Sequence, residues 1–259
     1  KAHGLSKGDC VMHYFNRNSY LDLVFLLGAT MLGCIPVTVN WQADTPERVI
    51  YKLGATKTKL MLTDDGVPTA TLELIRAKLP ALTVGDAETF IQGCAAITNE
   101  EMCADLSSSD TRIVIFTSGT TGMPKGVQLP YSSYDCNRST FEDFLQVTDD
   151  MIAVVANPMH HTNSTAITDW ASRRPGAKLV LFAVYTTAYW STLVELAAAP
   201  TTTDSTKIIC PSVSKHYDFL EGLISSGKLP CELSALKHAL GRPNTHMLLG
   251  SAPVGPTTV

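Results

Sequence analysis

The sequence lacks the charge pattern that identifies a nucleic-acid-binding or membrane-surface protein. Its 259 residues contain 20 Lys and Arg against 24 Asp and Glu, which gives a formal net charge of -4 at pH 7. No dense cluster of Lys and Arg occurs along the chain, so neither kind of partner is indicated. Any anion that the protein binds must be held by local geometry rather than by a global field.

Cysteine pairs and metal-binding spacings are also missing. The seven cysteines are scattered singly, and no two of them form a CxxC pair. No cysteine and histidine cluster has the spacing of a zinc site, so no metal ligand is predicted. An odd number of unpaired thiols favours a reducing compartment. We therefore expect a cytoplasmic protein, with peripheral membrane or organelle association left open.

No uninterrupted apolar run has the length of a membrane span. Residues 23–39 carry no charge, but Gly28, Gly33 and Pro36 interrupt them, and a spanning helix needs about 20 apolar residues. A buried helix, a glycine turn and a buried strand fit this stretch better. The chain opens on Lys1 without a signal peptide or an initiator Met, so we expect the protein to begin upstream.

Short apolar runs that alternate with helical stretches dominate the chain. The predicted strands are 35–39, 59–62, 113–116, 151–155, 178–182, 207–209 and 246–249, and the predicted helices are 19–32, 45–53, 131–146, 165–171, 190–198, 213–225 and 231–240. This order favours an α/β fold with mainly parallel sheets covered by helices on both faces. The polar stretch 100–110 is a candidate boundary between a first lobe, 1–110, and a second lobe, 111–259.

The stretch TSGTTGMPKG, residues 117–126, directly follows the apolar run 113–116. Its glycines let the backbone approach an anion closely, its hydroxyls can donate hydrogen bonds, and Lys125 adds a positive charge. The alternative is a polar hairpin turn between 113–116 and 127–129. A Walker loop is excluded, because Pro124 precedes the lysine and Gly126 follows it.

Residues 117–127 resemble the signature of the adenylate-forming (AMP-binding) superfamily, which includes acyl-CoA synthetases, aryl-CoA ligases, luciferases and peptide-synthetase adenylation domains. The family pattern, Thr-Ser-Gly-Ser/Thr-Thr-Gly-x-Pro-Lys-Gly-Val, is matched at every fixed position. Further along, Asn-Pro-Met-His-His at 157–161 is similar to the family's Pro-Leu-Phe-His segment. Gly-Ser-Ala-Pro at 250–253 is similar to its Gly-Gly-Ala-Pro segment. Ser164 departs from the pattern, since glycine is common there.

The resemblance implies a two-step ligase that uses ATP, Mg²⁺ and, as co-substrate, coenzyme A. A carboxylic acid first reacts with ATP to give an acyl-adenylate, and a thiol then takes the acyl group. The implied catalytic residues are His161 and Lys125. The implied phosphate contacts are Thr117, Ser118, Gly119, Thr120, Thr121, Gly122 and Lys125. The implied adenine contacts are Gly250, Ser251, Ala252 and Pro253, and the implied substrate pocket contains His160, His161, Thr162 and Asn163.

The acid and its acceptor are less well indicated. Uncharged residues around 163–167 favour a fatty or other hydrophobic acid. The alternatives are a carrier-protein acceptor, an aryl-CoA or luciferase-like ligase, and a non-catalytic nucleotide-binding protein. The family's magnesium-binding glutamate, ribose-binding aspartate and small C-terminal domain are not found in the sequence. We therefore expect a partial N-terminal domain that is weak or inactive alone; no oligomeric state is indicated.

Overall fold

The computed structural model describes residues 3–93, 103–117 and 122–250. The chain divides into two compact units, and the boundary between them falls between Asn137 and Arg138. Each unit is built on its own β-sheet. Over the described ranges, no helix combines the length and the apolar character that a membrane span requires.

The first unit contains a six-stranded sheet with the order β4-β3-β1-β2-β5-β6. The strands are β1 (Cys10–Tyr14), β2 (Ile35–Thr38), β3 (Leu60–Thr63), β4 (Thr83–Asp86), β5 (Thr111–Phe116) and β6 (Gly126–Pro130). The first five pair in parallel, and β6 pairs with β5 in antiparallel orientation. The carboxyl ends of β1 to β5 therefore lie at one edge of the sheet.

Helices cover both faces of this sheet: α1 (Tyr20–Leu32), α2 (Pro46–Ala55), α3 (Thr69–Lys78) and α4 (Ala87–Gln92). Successive residues of β1 point to opposite faces. Val11 packs in the core that includes residues of α1 and α4. Met12 packs in the core that includes residues of α2 and α3.

The uncharged run 23–39 forms the predicted helix, glycine turn and strand. Gly33 ends α1 in the left-handed conformation, at φ 69°, which glycine adopts without steric cost. The expectation of a buried helix is wrong, however, because α1 buries only one face. Leu27 on the other face is 63% exposed.

The second unit contains a four-stranded sheet with the order β10-β9-β7-β8. Its elements are β7 (Ile152–Val155), α6 (Thr162–Ser172), β8 (Lys178–Leu181), α7 (Ala188–Ala198), β9 (Ile208–Ser212), α8 (Ser214–Ser225), α9 (Leu233–Leu240) and β10 (Thr245–Leu249). All strand pairs are parallel. Helix α5 (Tyr131–Leu145) precedes them and spans the boundary between the units.

Helices also cover both faces of the second sheet. Ile152 and Val154 pack in a core with residues of α7, α8 and α9, whereas Ala153 and Val155 pack in a core with residues of α5 and α6. Strand β9 carries Pro211 beyond the two residues that pair with β7. A proline is tolerated there because no backbone N–H is needed for a ladder hydrogen bond on that side.

The boundary between compact units does not coincide with the predicted lobe boundary at residue 110. Strand β5 begins at Thr111 and pairs with β2, and β6 pairs with β5. Both strands thus belong to the first sheet, which moves the division of the chain into α5. The assignment of lobes within a parent enzyme, 1–110 and 111–259, stays a prediction.

Candidate active site

The glycine-rich stretch joins β5 to β6 at the carboxyl edge of the first sheet. Phe116 pairs with Gly126 in the antiparallel ladder, and Thr117 N–H donates to the Lys125 carbonyl at 3.0 Å. The stretch is therefore a hairpin in geometry, and a strand rather than a helix follows the lysine. This agrees with the exclusion of a Walker loop and leaves phosphate binding open.

The residues at the base of this loop are accessible. Thr117, Gly122 and Lys125 are exposed, whereas Pro124 is buried. The predicted contacts Ser118, Gly119, Thr120 and Thr121 lie outside the described residues. Among the residues that the structure describes, no carboxylate pairs with the Lys125 ammonium. Its charge is therefore available to a ligand.

The same edge of the first sheet has an acidic part next to β3 and β4. Asp64, Asp65, Asp86 and Glu88, together with Arg17, line a cleft of about 130 Å³. Four carboxylates against one guanidinium repel a polyphosphate. Anion binding at this edge is therefore favoured at the β5–β6 hairpin and disfavoured at the cleft.

Two histidines follow β7 in the second unit. The ring centroids of His160 and His161 lie 4.2 Å apart, but only His160 is buried, at 6% exposure. The backbone N–H of His161 donates to the Pro158 carbonyl at 3.1 Å. Desolvation lowers the pKa of His161, so its exposed imidazole is mainly neutral near pH 7 and can donate one hydrogen bond.

His161 is the N-cap residue of α6, and its side chain makes no capping hydrogen bond. The first N–H groups of a helix have no intrahelical partner and carry a partial positive charge. Thr162 and Asn163 occupy these first positions, one exposed and one half-buried. The start of α6 therefore presents uncapped backbone donors beside His161, which suits a carboxylate or phosphate oxygen.

Ser164, where the adenylate-forming pattern favours glycine, is fully buried. Its hydroxyl donates to the Asn157 carbonyl at 2.9 Å. This hydrogen bond ties the start of α6 to Asn157, near the beginning of the segment between β7 and α6. The extra side chain is thus accommodated inside the protein and does not occupy the exposed surface beside His161.

Gly250 follows β10 at the same edge of the second sheet as His161. Its N–H donates to the Ser212 carbonyl at 3.3 Å. Because β7, β9 and β10 run in parallel, the residues after them share this edge. The other predicted adenine contacts, Ser251, Ala252 and Pro253, lie outside the described residues.

The sequence did not indicate a role for Tyr185 and His216, which follow β8 and β9. Their rings stack with centroids 3.9 Å apart and planes 10° from parallel, and Tyr185 Oη donates to the His216 carbonyl at 3.2 Å. Burial lowers the pKa of His216 to about 4. The only signal in the sequence was the presence of both residues just beyond apolar strands.

A magnesium site held by the protein does not emerge from these residues. Within the ranges 3–93, 103–117 and 122–250, no group of three or more His, Cys, Asp or Glu could hold a metal ion. The lysine, histidine and backbone donors described above bind anions rather than cations.

Comparison with known proteins identifies the family. The profile of the family "AMP-binding enzyme" matches residues 1–259. The long-chain-fatty-acid–CoA ligase FadD13 of Mycobacterium tuberculosis is 28% identical over 75% of this chain and 39% of its own length. The fatty acid–[acyl-carrier-protein] ligase ScoC of Streptomyces coeruleorubidus is 31% identical over 62% of this chain and 31% of its own length.

The fold has a solved counterpart. The inhibitor-bound N-terminal domain of FACL13 from Mycobacterium tuberculosis superimposes with a TM-score of 0.79 at 21% identity, covering 99% of this chain and 60% of that chain. The chain belongs to the family of AMP-binding, adenylate-forming enzymes. Its relatives include ligases that join fatty acids to coenzyme A, and it spans about two fifths of the first of them.

Proposed function

We propose that the protein carrying this chain is an ATP-dependent acid–thiol ligase. In the first step, a carboxylate oxygen attacks the α-phosphorus of ATP, the bond to the bridging oxygen of pyrophosphate breaks, and an acyl-adenylate forms. In the second step, the sulfur of coenzyme A attacks the acyl carbon, AMP leaves, and the thiol proton is lost. The exposed Lys125 at the base of a glycine-rich hairpin is the observation that carries this proposal.

The first unit would bind the terminal phosphates of ATP. Thr117, Gly122 and Lys125 stand at the base of the loop, and the lysine charge has no acidic partner among the described residues. An ammonium–phosphate contact is charge-assisted and therefore stronger than a neutral hydrogen bond. We assign Thr117 to Lys125, with the hydroxyls between them, to the β- and γ-phosphates of ATP.

The second unit would supply donors for the reacting acid and the α-phosphate. His161 is exposed, and its pKa is lowered by desolvation, so it can donate a hydrogen bond without adding a charge. Thr162 and Asn163 begin α6 with uncapped N–H groups. We assign these groups to the carboxylate and the α-phosphate, and Gly250 to Pro253 to the adenine. Such chemistry rests on positioning and charge stabilisation.

For the acid, we propose a fatty or other hydrophobic chain. The support is the uncharged segment 163–167 and the fatty-acid substrates in the names of FadD13 and ScoC. ScoC also supports a second candidate, transfer of the acyl group to an acyl carrier protein. Both candidates share the adenylation step and differ only in the thiol that attacks.

Lys125→Ala tests whether this lysine binds the phosphates of ATP. Removing a hydrogen bond to a charged group costs about 1.5–3 kcal/mol, so we expect ATP to bind roughly 10- to 100-fold more weakly, as measured by calorimetry. Lys78→Ala, an exposed lysine at the end of α3, is the control and should bind ATP like the wild type. Equal affinity in all three proteins would remove Lys125 from the site.

Pyrophosphate exchange tests the acid. The protein carrying this chain should exchange labelled pyrophosphate into ATP with fatty acids, and more slowly with aromatic or dicarboxylic acids. A thioester assay with either coenzyme A or acyl carrier protein then separates the two acceptors. Exchange that needs no added acid, or no exchange with any acid, would contradict the assignment.

A further inference from the structure

A buried ion pair lies beside the strand that leads into the phosphate loop. Lys52 of α2 donates from Nζ to Asp44 Oδ2, and the two side chains are only 3% and 5% exposed. The same carboxylate oxygen accepts from the Asn40 backbone N–H at 2.8 Å. Desolvation of a buried ion pair is costly and often exceeds the Coulombic gain. Stability alone therefore gives no account of this pair.

The Lys52 ammonium contacts an aromatic ring as well as the carboxylate. Its Nζ lies 4.9 Å from the ring centroid of Phe116, the last residue of β5. A cation within about 6 Å of a ring face is attracted to it, and the attraction grows when the pair is shielded from water. Lys52 therefore fixes the ring of Phe116 from the side of α2.

Phe116 in turn contacts the other strand of the hairpin. It pairs with Gly126, and a Cβ atom placed on Gly126 would lie 3.2 Å from Phe116 Cζ and 3.1 Å from Val114 Cγ1. The next residue pair, Thr117 N–H to the Lys125 carbonyl, closes the base of the loop. A series of direct contacts thus runs from Asp44 through Lys52 and Phe116 to this base.

We propose that Lys52 and Asp44 are positioning residues for the ATP phosphates, acting through Phe116 on the base of the phosphate loop. The buried cation holds the Phe116 ring against Gly126, and this contact fixes the distance between Thr117 and Lys125 at the two ends of the loop. Neither charge touches the nucleotide. The inference rests on the proposed function of the loop and adds to it the residues that hold the two ends of the loop in place.

The variant Lys52→Met/Asp44→Asn removes both charges and retains an amide oxygen to accept from Asn40 N–H. Replacing a buried ion pair by uncharged residues of similar volume is often neutral for stability, so the urea midpoint should change little. ATP should nevertheless bind about tenfold more weakly by calorimetry, the loss expected for a shielded cation–π contact. Unchanged ATP affinity in a folded variant would overturn the proposal.

Two further variants separate positioning from a general effect on the fold. Phe116→Leu should weaken ATP binding to a similar degree, and its combination with Lys52→Met/Asp44→Asn should cause no additional loss, because all act through one contact. Lys59→Met/Asp9→Asn removes another ion pair of the first unit, Nζ to Oδ2 at 2.8 Å, and should leave ATP affinity unchanged. Additive losses, or an equal loss in this control, would contradict the mechanism.

Hydrogen exchange distinguishes failure of this inference from failure of the proposed function. In the absence of nucleotide, the Thr117 amide should exchange faster in Lys52→Met/Asp44→Asn than in the wild type, because the base of the loop is less constrained. If the wild type does not bind ATP, the proposed function fails. The exchange rate of the Thr117 amide then still tests the contacts that run from Asp44 through Lys52 and Phe116. If ATP binds but Thr117 exchange is unchanged, only the positioning role is wrong.

Discussion

The helices of the two units begin in different ways. In the first unit, α3 begins without a side-chain cap, whereas side chains cap the other three of α1 to α4: Ser19 caps α1, Thr45 caps α2 and Asp86 caps α4. Each of these helices also has an acid in its first turn. In the second unit, none of α6 to α9 has a side-chain cap or an acid in its first turn.

This difference shows where each unit can accept an anion. A capped and acidic helix start has already used its donors and its positive end. We propose that the first unit binds phosphate at the hairpin that contains Lys125 and not at these three capped helix starts. In the second unit, the open starts of α6, α7 and α8 follow strands of a parallel sheet, at the carboxyl edge where ligands of such sheets bind.

Capping the start of α6 with a side chain should lower the rate of pyrophosphate exchange and stabilise the helix. His161→Ser places a good capping residue where no cap exists and removes the imidazole. We expect pyrophosphate exchange to fall roughly 10- to 100-fold, the loss for a hydrogen bond to a charged group. The free energy of unfolding should rise by about 0.5–1 kcal/mol. Exchange at the wild-type rate would show that the open start of α6 has no role in adenylation.

Acid should weaken the second unit through His216, which lies in the first turn of α8. Burial lowers its pKa to about 4, against about 6.5 in an unfolded chain. The unfolded state therefore takes up the proton first, and stability is lost as the pH falls from about 6.5 towards 4. Urea titrations should show a loss of about 1–2 kcal/mol between pH 7 and pH 5 from this group.

The matched variant for this titration is His216→Phe, which can still stack on Tyr185 but cannot be protonated. Its unfolding free energy should depend less steeply on pH over the same interval. An identical pH dependence in the two proteins would assign the acid sensitivity to other groups.

The helix caps themselves give the smallest effect and the most direct comparison of the units. Ser19 Oγ accepts from Leu21 N–H at 3.2 Å, so Ser19→Ala should lower the free energy of unfolding by about 1 kcal/mol. Val213→Ser, at the uncapped start of α8, should raise it by a similar or smaller amount. Urea unfolding measures both changes. Two changes of the same sign would contradict the contrast between capped and open starts.

Much of the fold could be predicted from apolar runs. Seven strands and seven helices were expected close to their observed positions, because a strand buried on both faces has few polar residues. β4 was missed for the opposite reason. It lies at the edge of the first sheet and is partly exposed, and its place depends on pairing with β3. β1 was missed as well, although it lies between β3 and β2 inside the sheet.

For the candidate site, Lys125, His161 and Gly250 were predicted because three separate segments of the sequence resemble motifs of one family. These motifs could not identify the Lys52–Asp44 pair. Asp44 lies just before α2 and Lys52 lies within it, so no helical period links them. The contact of Lys52 with Phe116 exists because α2 packs against the sheet in the same core as Phe116. The open helix starts likewise become visible only with the hydrogen bonds.

The antiparallel pairing of β5 with β6 also affects the order in which the molecule folds. Phe116 and Gly126 are separated by a single short loop, so the entropy lost on bringing them together is small. In the second unit, Ser212 and Leu248 meet across 36 residues, and such non-local contacts form slowly. The pairing of β5 with β6 at the base of the loop can therefore form early in folding, before the parallel sheet that places His161 and Gly250 is complete.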